Sequence, residues 1–234
     1  MAIELSGNSG AEGRFGGPIS KESISQQAYV AIRNSLMRSR LRPGQKLIAR
    51  QVAKELGISV TPVRESLLRL VSEHALVLDE RGTVMVPELE LERCLEIRDL
   101  RILNEGEGAA RAAAQAAGED IDRLVRIHER YLALEKEGDF AAALAENENF
   151  HFELCRLSGS AVLFRIVENL WIQFGPILSY LYDSRERPFR DRVHAHILVV
   201  EALRRGDAGA ARKAIGDDIL IGGAKLLERL PEPT

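Results

Sequence analysis

Ala49-Arg-Gln-Val-Ala-Lys-Glu-Leu-Gly-Ile-Ser-Val-Thr-Pro-Val-Arg-Glu-Ser-Leu-Leu-Arg-Leu-Val71 carries the pattern that decides the fold of the first third of the chain. Val52, Ala53 and Leu56 share one helical face and Gly57 supplies a stop, which predicts a short helix over 49–56. A further helix starts near Thr61, because threonine is a good N-cap and Pro62 suits the first helical position. Val63, Leu67, Leu70 and Val71 form its buried stripe, so Arg64 and Arg69 point elsewhere. Downstream, Leu76-Val-Leu-Asp-Glu-Arg-Gly-Thr-Val-Met-Val86 reads as two short strands around a turn at Asp79 to Gly82.

Upstream, Ser23 and Gln26 stand at capping-box spacing, Tyr29, Ile32 and Leu36 recur at the helical period, and Pro43-Gly44 ends the region. Helix, helix, short turn, helix, hairpin is the order of a winged helix-turn-helix. In that arrangement the third helix enters the major groove by its N-terminal end, where Ser59, Thr61 and Arg64 meet DNA. A helix N-terminus favours a phosphate, and an arginine can bridge guanine O6 and N7. Arg81 and Gly82, at the wing tip, reach toward the minor groove. A small helical module with a solvated charged face fits the same pattern.

Charge separates the chain in two. Lys21 to Pro87 holds 11 Lys/Arg and 6 Asp/Glu, about +5, whereas Glu88 to Thr234 holds 20 and 27, about −7. A basic first third on an acidic remainder suits a DNA reader joined to a domain with another task. With 234 residues there is room for two domains, and abundant Ala and Leu with 5% aromatics favour helices. Cys94 and Cys155 lack metal-ribbon spacing and read as two reduced thiols of a cytoplasmic protein. No apolar run approaches the roughly 20 residues of a membrane span, and the Gly-rich start lacks a signal-peptide core. The expected division is a disordered tail at 1–20, a DNA-binding domain at 21–87 and an all-helical domain at 88–230.

The stretches Leu41-Arg-Pro-Gly-Gln-Lys-Leu47, Ala49 to Ser59, Thr61-Pro-Val-Arg-Glu-Ser-Leu67 and Arg81-Gly82 resemble the N-terminal signature of GntR-type transcription regulators across nearly all of residues 25–87. The resemblance implies DNA contacts from Arg50, Ser59, Thr61, Arg64 and Gly82. Val60 stands where many members carry a basic residue, Ala49 where an acidic residue is usual, and His74 where a glycine is usual. Val60 removes one polar contact, although a valine can still meet a thymine methyl.

From Glu88 onward, helices are expected near 89–116, 119–137, 139–157, 160–182, 190–205 and 207–229, with Asp139 and Asp207 as N-caps and a kink at Pro176. The fold class is therefore mainly α: a winged helix-turn-helix with a small β-hairpin wing, then an all-α bundle of six to seven helices. Asn147 and His151 share one face of a helix, His196 lies on a later one and Asp218 on the last. Such a set can hold a divalent metal, or its histidines can be hydrogen-bonded structural residues. His194, read as helical, falls about 200° from His196 and away from the set.

Arg101 to Ala109, Asn147-Glu-Asn-Phe-His151, and His196 with Asp207 eleven residues on, followed by Ala210-Ala211, resemble the FCD effector domain of FadR-type GntR regulators. Metal-binding members carry one Asp and three His; here Asn147 stands at the Asp position, His151 and His196 match, and Asp218 replaces the third His. The implied cofactor is Zn, Ni or Mn on Asn147, His151, His196 and Asp218; the alternative is a metal-free site. The implied effector is a small organic acid whose carboxylate meets Arg101, a residue equally placed to pair with Glu105 four positions on. Trp171, Phe174 and Tyr180 suit a pocket wall, a core or a dimer surface. The reading that follows is no enzyme but a homodimeric repressor on a palindromic operator of double-stranded DNA, without membrane association. The alternatives are a metal-dependent enzyme on a two-His-one-carboxylate set, or a regulator with a vestigial pocket.

Overall fold

The computed structural model describes residues 24–88, 90–182 and 194–227. The expected tail at 1–20 and the Ser23 cap lie outside the described residues. Helix α1 spans Ile24–Met37, α2 Ala49–Leu56 and α3 Val60–Ser72. α2 keeps its expected bounds because Gly57 takes a left-handed φ of 67° and its N–H turns back onto the last turn. α3 begins earlier than expected. Ser59, not Thr61, occupies the N-cap with an extended backbone, which makes Val60 the first helical residue. Pro62 fits as the third because the first N–H groups of a helix have no intrahelical acceptor. Val60 itself is half-buried against the core.

The wing is an antiparallel pair, β1 (Val77–Leu78) and β2 (Val84–Met85), in register Val77↔Met85 and Leu78↔Val84. Asp79 holds its turn: Oδ1 accepts from the N–H groups of Arg81 (3.0 Å) and Thr83 (2.8 Å), and Oδ2 accepts from Lys46 Nζ (2.9 Å). Lys46 also bridges to Met85, so a third extended segment lies on the wing. The sequence around Gln45 to Leu47 has no strand alternation that would announce it.

The remainder is helical: α4 (Leu91–Gln115), α5 (Gly118–Glu137), α6 (Phe140–Arg156), α7 (Ala161–Phe174), a 3₁₀ turn at Gly175–Leu178, α8 (Ser179–Tyr182), α9 (Ala195–Arg204) and α10 (Ala208–Leu227). Asp139 and Asp207 cap as expected, accepting from Ala142 and Ala210 N–H. Pro176 interrupts the expected 160–182 helix by converting it to the 3₁₀ turn. The stretch Ala161–Leu178 is apolar enough for a membrane span by length and composition, yet 61% of it is buried within the protein as a core element. Cys94 and Cys155 are buried thiols not joined in a disulfide, and burial pushes them up to about 11 and about 12.

Two apolar clusters organise the chain. One joins both segments, running from Leu36, Met37 and Leu70 through Ile97 and Phe152 to Trp171 and Phe174. The other, around Leu124, Phe150, Leu154, Val199 and Ile215, fills the far part of the bundle. α1 is fixed to the bundle by Arg33–Glu168 (3.1 Å), Arg38–Glu148 (3.5 Å) and the Ser39 hydroxyl donating to Gly175 O (2.5 Å). The contact is backbone on backbone. A Cβ at Gly175 would sit 2.5 Å from Leu36 O and 2.6 Å from Met37 Cα.

Candidate functional site

The residues expected to meet DNA are all on the surface. Arg50 lies in the first turn of α2, Ser59, Thr61 and Arg64 cluster at the start of α3, and Arg81 and Gly82 form the wing tip; each is exposed. Gly82 has a φ of +75°, the left-handed conformation the tight turn requires. Arg64, Gly82, Lys46 and Thr83 line one open groove of about 620 Å³ between α3 and the wing. Arg69 belongs to the fold instead: its guanidinium lies 3.7 Å over the Tyr29 ring and donates to Gln26 (2.8 Å) and Glu73 (3.0 Å), tying α3 to α1.

The second site lies within the bundle, beside the cluster that holds Trp171 and Phe174. A cavity of about 50 Å³ is lined by Arg101, Asn147, His151, Trp171, Phe174 and Asp218, among others. That is room for a few waters or the head of a small ligand. Glu105 organises its wall. Its Oε1 accepts from Arg101 Nε (2.7 Å) and Trp171 Nε1 (3.0 Å), and its Oε2 meets His151 Nδ1 at 2.5 Å. The Arg101 guanidinium also stacks 4.0 Å over Trp171. The Glu105 ion pair expected as one role of Arg101 is present, and Arg101 also lines the cavity.

Burial alone would raise the Glu105 pKa, but Arg101 and His151 outweigh it and hold the carboxyl at about 2. Burial alone would lower that of His151, but Glu105 and Asp218 outweigh it and raise it. The other face of His151 meets Asp218, Nε2 to Oδ2, at 3.1 Å. Asp218 Oδ2 also lies 3.8 Å from His196 Nε2, and donor atoms of His151, His196 and Asp218 all lie within 4.8 Å of one another. This brings together the expected His151, His196 and Asp218, with Asn147 on the same cavity wall.

The donor set fits a metal. His196 is fully buried with neither ring nitrogen hydrogen-bonded. His151 has a carboxylate behind Nδ1 and a second carboxylate facing Nε2, the outer-shell pattern that orients a ligating imidazole.

Sequence reasoning placed His194 off the site and did not single out His128. His194 is not helical: it is the N-cap of α9, at φ −65° and ψ 135°, so its ring turns to the same side as His196, with centroids 4.3 Å apart. His128 lies on the buried stripe of α5 with Ile121, Leu124 and Tyr131, a periodicity that could have flagged it. Burial pulls His128 down to about 4, aided by His194, and it lowers His194 and His196 as well.

Residues 24–86 match the family described as bacterial regulatory proteins, gntR family, and residues 96–219 match the FCD domain. This chain belongs to the GntR family of regulators, with an FCD effector domain. It is similar to the HTH-type transcriptional regulator McbR of Escherichia coli K12, 29% identical over 202 residues, covering 86% of this chain and 91% of McbR. The Nta operon transcriptional regulator of Aminobacter aminovorans is 29% identical over 174 residues, 73% of this chain and 80% of that one. A probable D-xylose utilization operon transcriptional repressor of Paenarthrobacter nicotinovorans is 26% identical over 197 residues, 84% and 86% of the two chains. Among solved structures, E. coli McbR/YncC superposes with a TM-score of 0.85 at 28% identity, over 90% of this chain and all of that one.

The winged helix-turn-helix of this GntR regulator thus binds DNA, and its FCD domain takes a small-molecule effector. His74, at the position of a usual glycine, takes the left-handed φ of +59°.

Proposed function

We propose that this GntR regulator is a repressor that works as a homodimer in the cytoplasm and releases a palindromic operator when a small organic acid enters the Arg101–His151–Asp218 cavity. Residues 21–87 read DNA and residues 88–230 sense the acid. The observation that carries this reading is the Arg101 guanidinium on the wall of a small cavity, fixed through Nε by Glu105 and stacked on Trp171. A guanidinium held in that way presents its fork to a carboxylate with little ordering cost.

His151, His196 and Asp218, with Asn147 as a neutral oxygen donor, are the residues that hold a divalent Zn, Ni or Mn ion. The bound ion supplies a second positive charge for the acid. Glu105 keeps His151 oriented, and Trp171 and Phe174 exclude water. Trp171 and Phe174 end α7 directly before Gly175, which touches α1, and α1 packs on α3. An acid that binds one seating of α7 better than another therefore shifts the seating of the DNA-reading helix. Exposed Leu91, Leu100 and Leu103 on α4 and Leu220 and Ile221 on α10 support the homodimer, since these helices adjoin and leave apolar side chains for a second copy.

At the other end, Ser59, Thr61, Arg64 and the wing residues Arg81 and Gly82 read the operator, with Arg50 on the backbone. The test is fluorescence anisotropy on fragments selected from the protein's own genome, with Mn²⁺ and a panel of small mono-, di- and tricarboxylic acids. An acid that releases DNA from the wild type but not from Arg101→Met supports the reading; release that survives Arg101→Met refutes it.

A further inference from the structure

Around His196, and sharing Tyr131 with the wall of the Arg101 cavity, lies a nest of rings. His128 on α5 sits 5.2 Å from His194 and 5.3 Å from His196, centroid to centroid, and His194 and His196 are 4.3 Å apart. Tyr131 closes one side, 4.9 Å from His194, and Phe150 stacks on His196 at 3.7 Å and 8°. All three imidazoles are at least nine-tenths buried. Neither nitrogen of His128 and neither nitrogen of His196 has a hydrogen-bond partner.

Packing alone does not account for this. Each buried, unpaired polar atom carries an uncompensated desolvation cost, and native interiors pair nearly all of them. Phe or Leu at position 128 would fill the same space without that cost. The arrangement has two further properties. One donor atom from each of His128, His194 and His196 falls within 4.8 Å of the others. Asp218 supplies a negative charge alongside, 3.9 Å from His194 Nδ1 and 3.8 Å from His196 Nε2. His194 Nδ1 also accepts from His196 N–H, at 3.2 Å.

We infer that His128, His194 and His196 form a second cation position, for a nitrogen-preferring divalent transition metal such as Ni²⁺ or Zn²⁺, alternative to the His151–His196–Asp218 position because His196 belongs to both. The second position builds on the proposed function, which supplies the first. Ligand type sorts the cations. Three imidazoles suit Ni²⁺ and Zn²⁺, whereas Mn²⁺ suits the set that contains a carboxylate and an amide oxygen. Which set is loaded depends on the metal offered, and His196 changes partner between them.

The experiment uses the full chain, stripped with a chelator and titrated with Ni²⁺ and, separately, Mn²⁺ against a chromophoric competitor. His128→Phe is expected to weaken Ni²⁺ binding at least tenfold and leave Mn²⁺ within twofold. His151→Gln is expected to do the reverse. X-ray absorption of the Ni²⁺-loaded wild type is expected to count three imidazoles, and this needs no variant to fold. Unchanged Ni²⁺ affinity in His128→Phe, or a spectrum with two imidazoles and a carboxylate, would overturn the second position. Those results leave the first position standing. The first position fails separately, when wild-type Mn²⁺ binding is absent or survives His151→Gln.

Discussion

Gly175→Ala tests how the sensor is joined to the DNA reader. Gly175 has φ −51° and ψ −47°, ordinary helical values, so alanine suffers no backbone strain and reduces unfolded-state entropy, worth about 0.4–1 kcal/mol in its favour. The obstacle is space. The new Cβ would lie 2.5 Å from Leu36 O, 2.6 Å from Met37 Cα and 2.8 Å from Met37 O. Carbon contacts settle near 3.5–4.0 Å, so α1 must retreat by roughly an ångström, and these are backbone atoms with no rotamer to turn. Overpacking of this kind costs about 1–3 kcal/mol, and backbone on both sides argues for the upper end. The net is about 2 kcal/mol of destabilisation, a fall in Tm of roughly 4–8 °C for a chain of this size. Because α1 carries α3, effector-driven release of DNA should weaken as well. Circular dichroism melting and DNA anisotropy with and without the acid read both effects. Gly118→Ala is the control, since a Cβ there meets nothing within 4 Å. If Gly175→Ala melts and responds like Gly118→Ala, the joint does not carry the coupling.

His74→Gly should raise Tm by roughly 1–3 °C without changing operator affinity, because relief of about 1–2 kcal/mol of left-handed strain at φ +59° outweighs the about 0.4–1 kcal/mol of unfolded-state entropy that a glycine adds; an unchanged or lowered Tm counts against this. Arg64→Ala should weaken operator binding by about 10–100-fold, the worth of one bidentate base contact, while binding to random duplex changes much less; equal losses on both DNAs would make Arg64 a phosphate contact only. Glu105→Gln should destabilise by about 3–5 kcal/mol, because it leaves buried Arg101 and His151 short of their shared counter-charge; chemical denaturation measures it, and a loss under 1 kcal/mol contradicts the assignment. The wing should loosen in acid. The hydrogen bond from Lys46, then that from Thr83 N–H, hold Asp79 at about 2, below its ordinary 3.8, so its contribution is complete above pH 3.8 and is lost as pH falls toward 2. The protection of the Thr83 amide, its exchange rate relative to the intrinsic rate at the same pH, should fall over that interval, and protection that stays flat from pH 4 to pH 2 would show that Asp79 does not hold the turn.

Local signals made the first third of the chain readable. Gly57 stops α2 where the sequence says it should, and Asp79 to Gly82 turn the wing as expected. Position Thr61 misled because Ser59 is an equally good cap two residues earlier, and propensity alone does not choose between them. In the bundle, His151, His196 and Asp218 were legible as a set because each sits on the inward face of a regular helix. His194 was misplaced for the opposite reason. The helical period was extended one turn too far, across the residue where the backbone leaves the helix. The joining of the two segments by a single apolar cluster that holds Met37, Trp171 and Phe174, and the Gly175 contact, could not be read at all, since both depend on elements more than a hundred residues apart.

The most direct test of the central claim is operator binding by the full-length protein at moderate salt, followed by anisotropy on duplexes recovered from its own genome. The account predicts tight binding to a palindromic site, two copies per site, with release when Mn²⁺ and a matching small organic acid are added together. Recovery of no specific fragment under any of these conditions would contradict it, as would specific binding that no small acid alters, with metal or without.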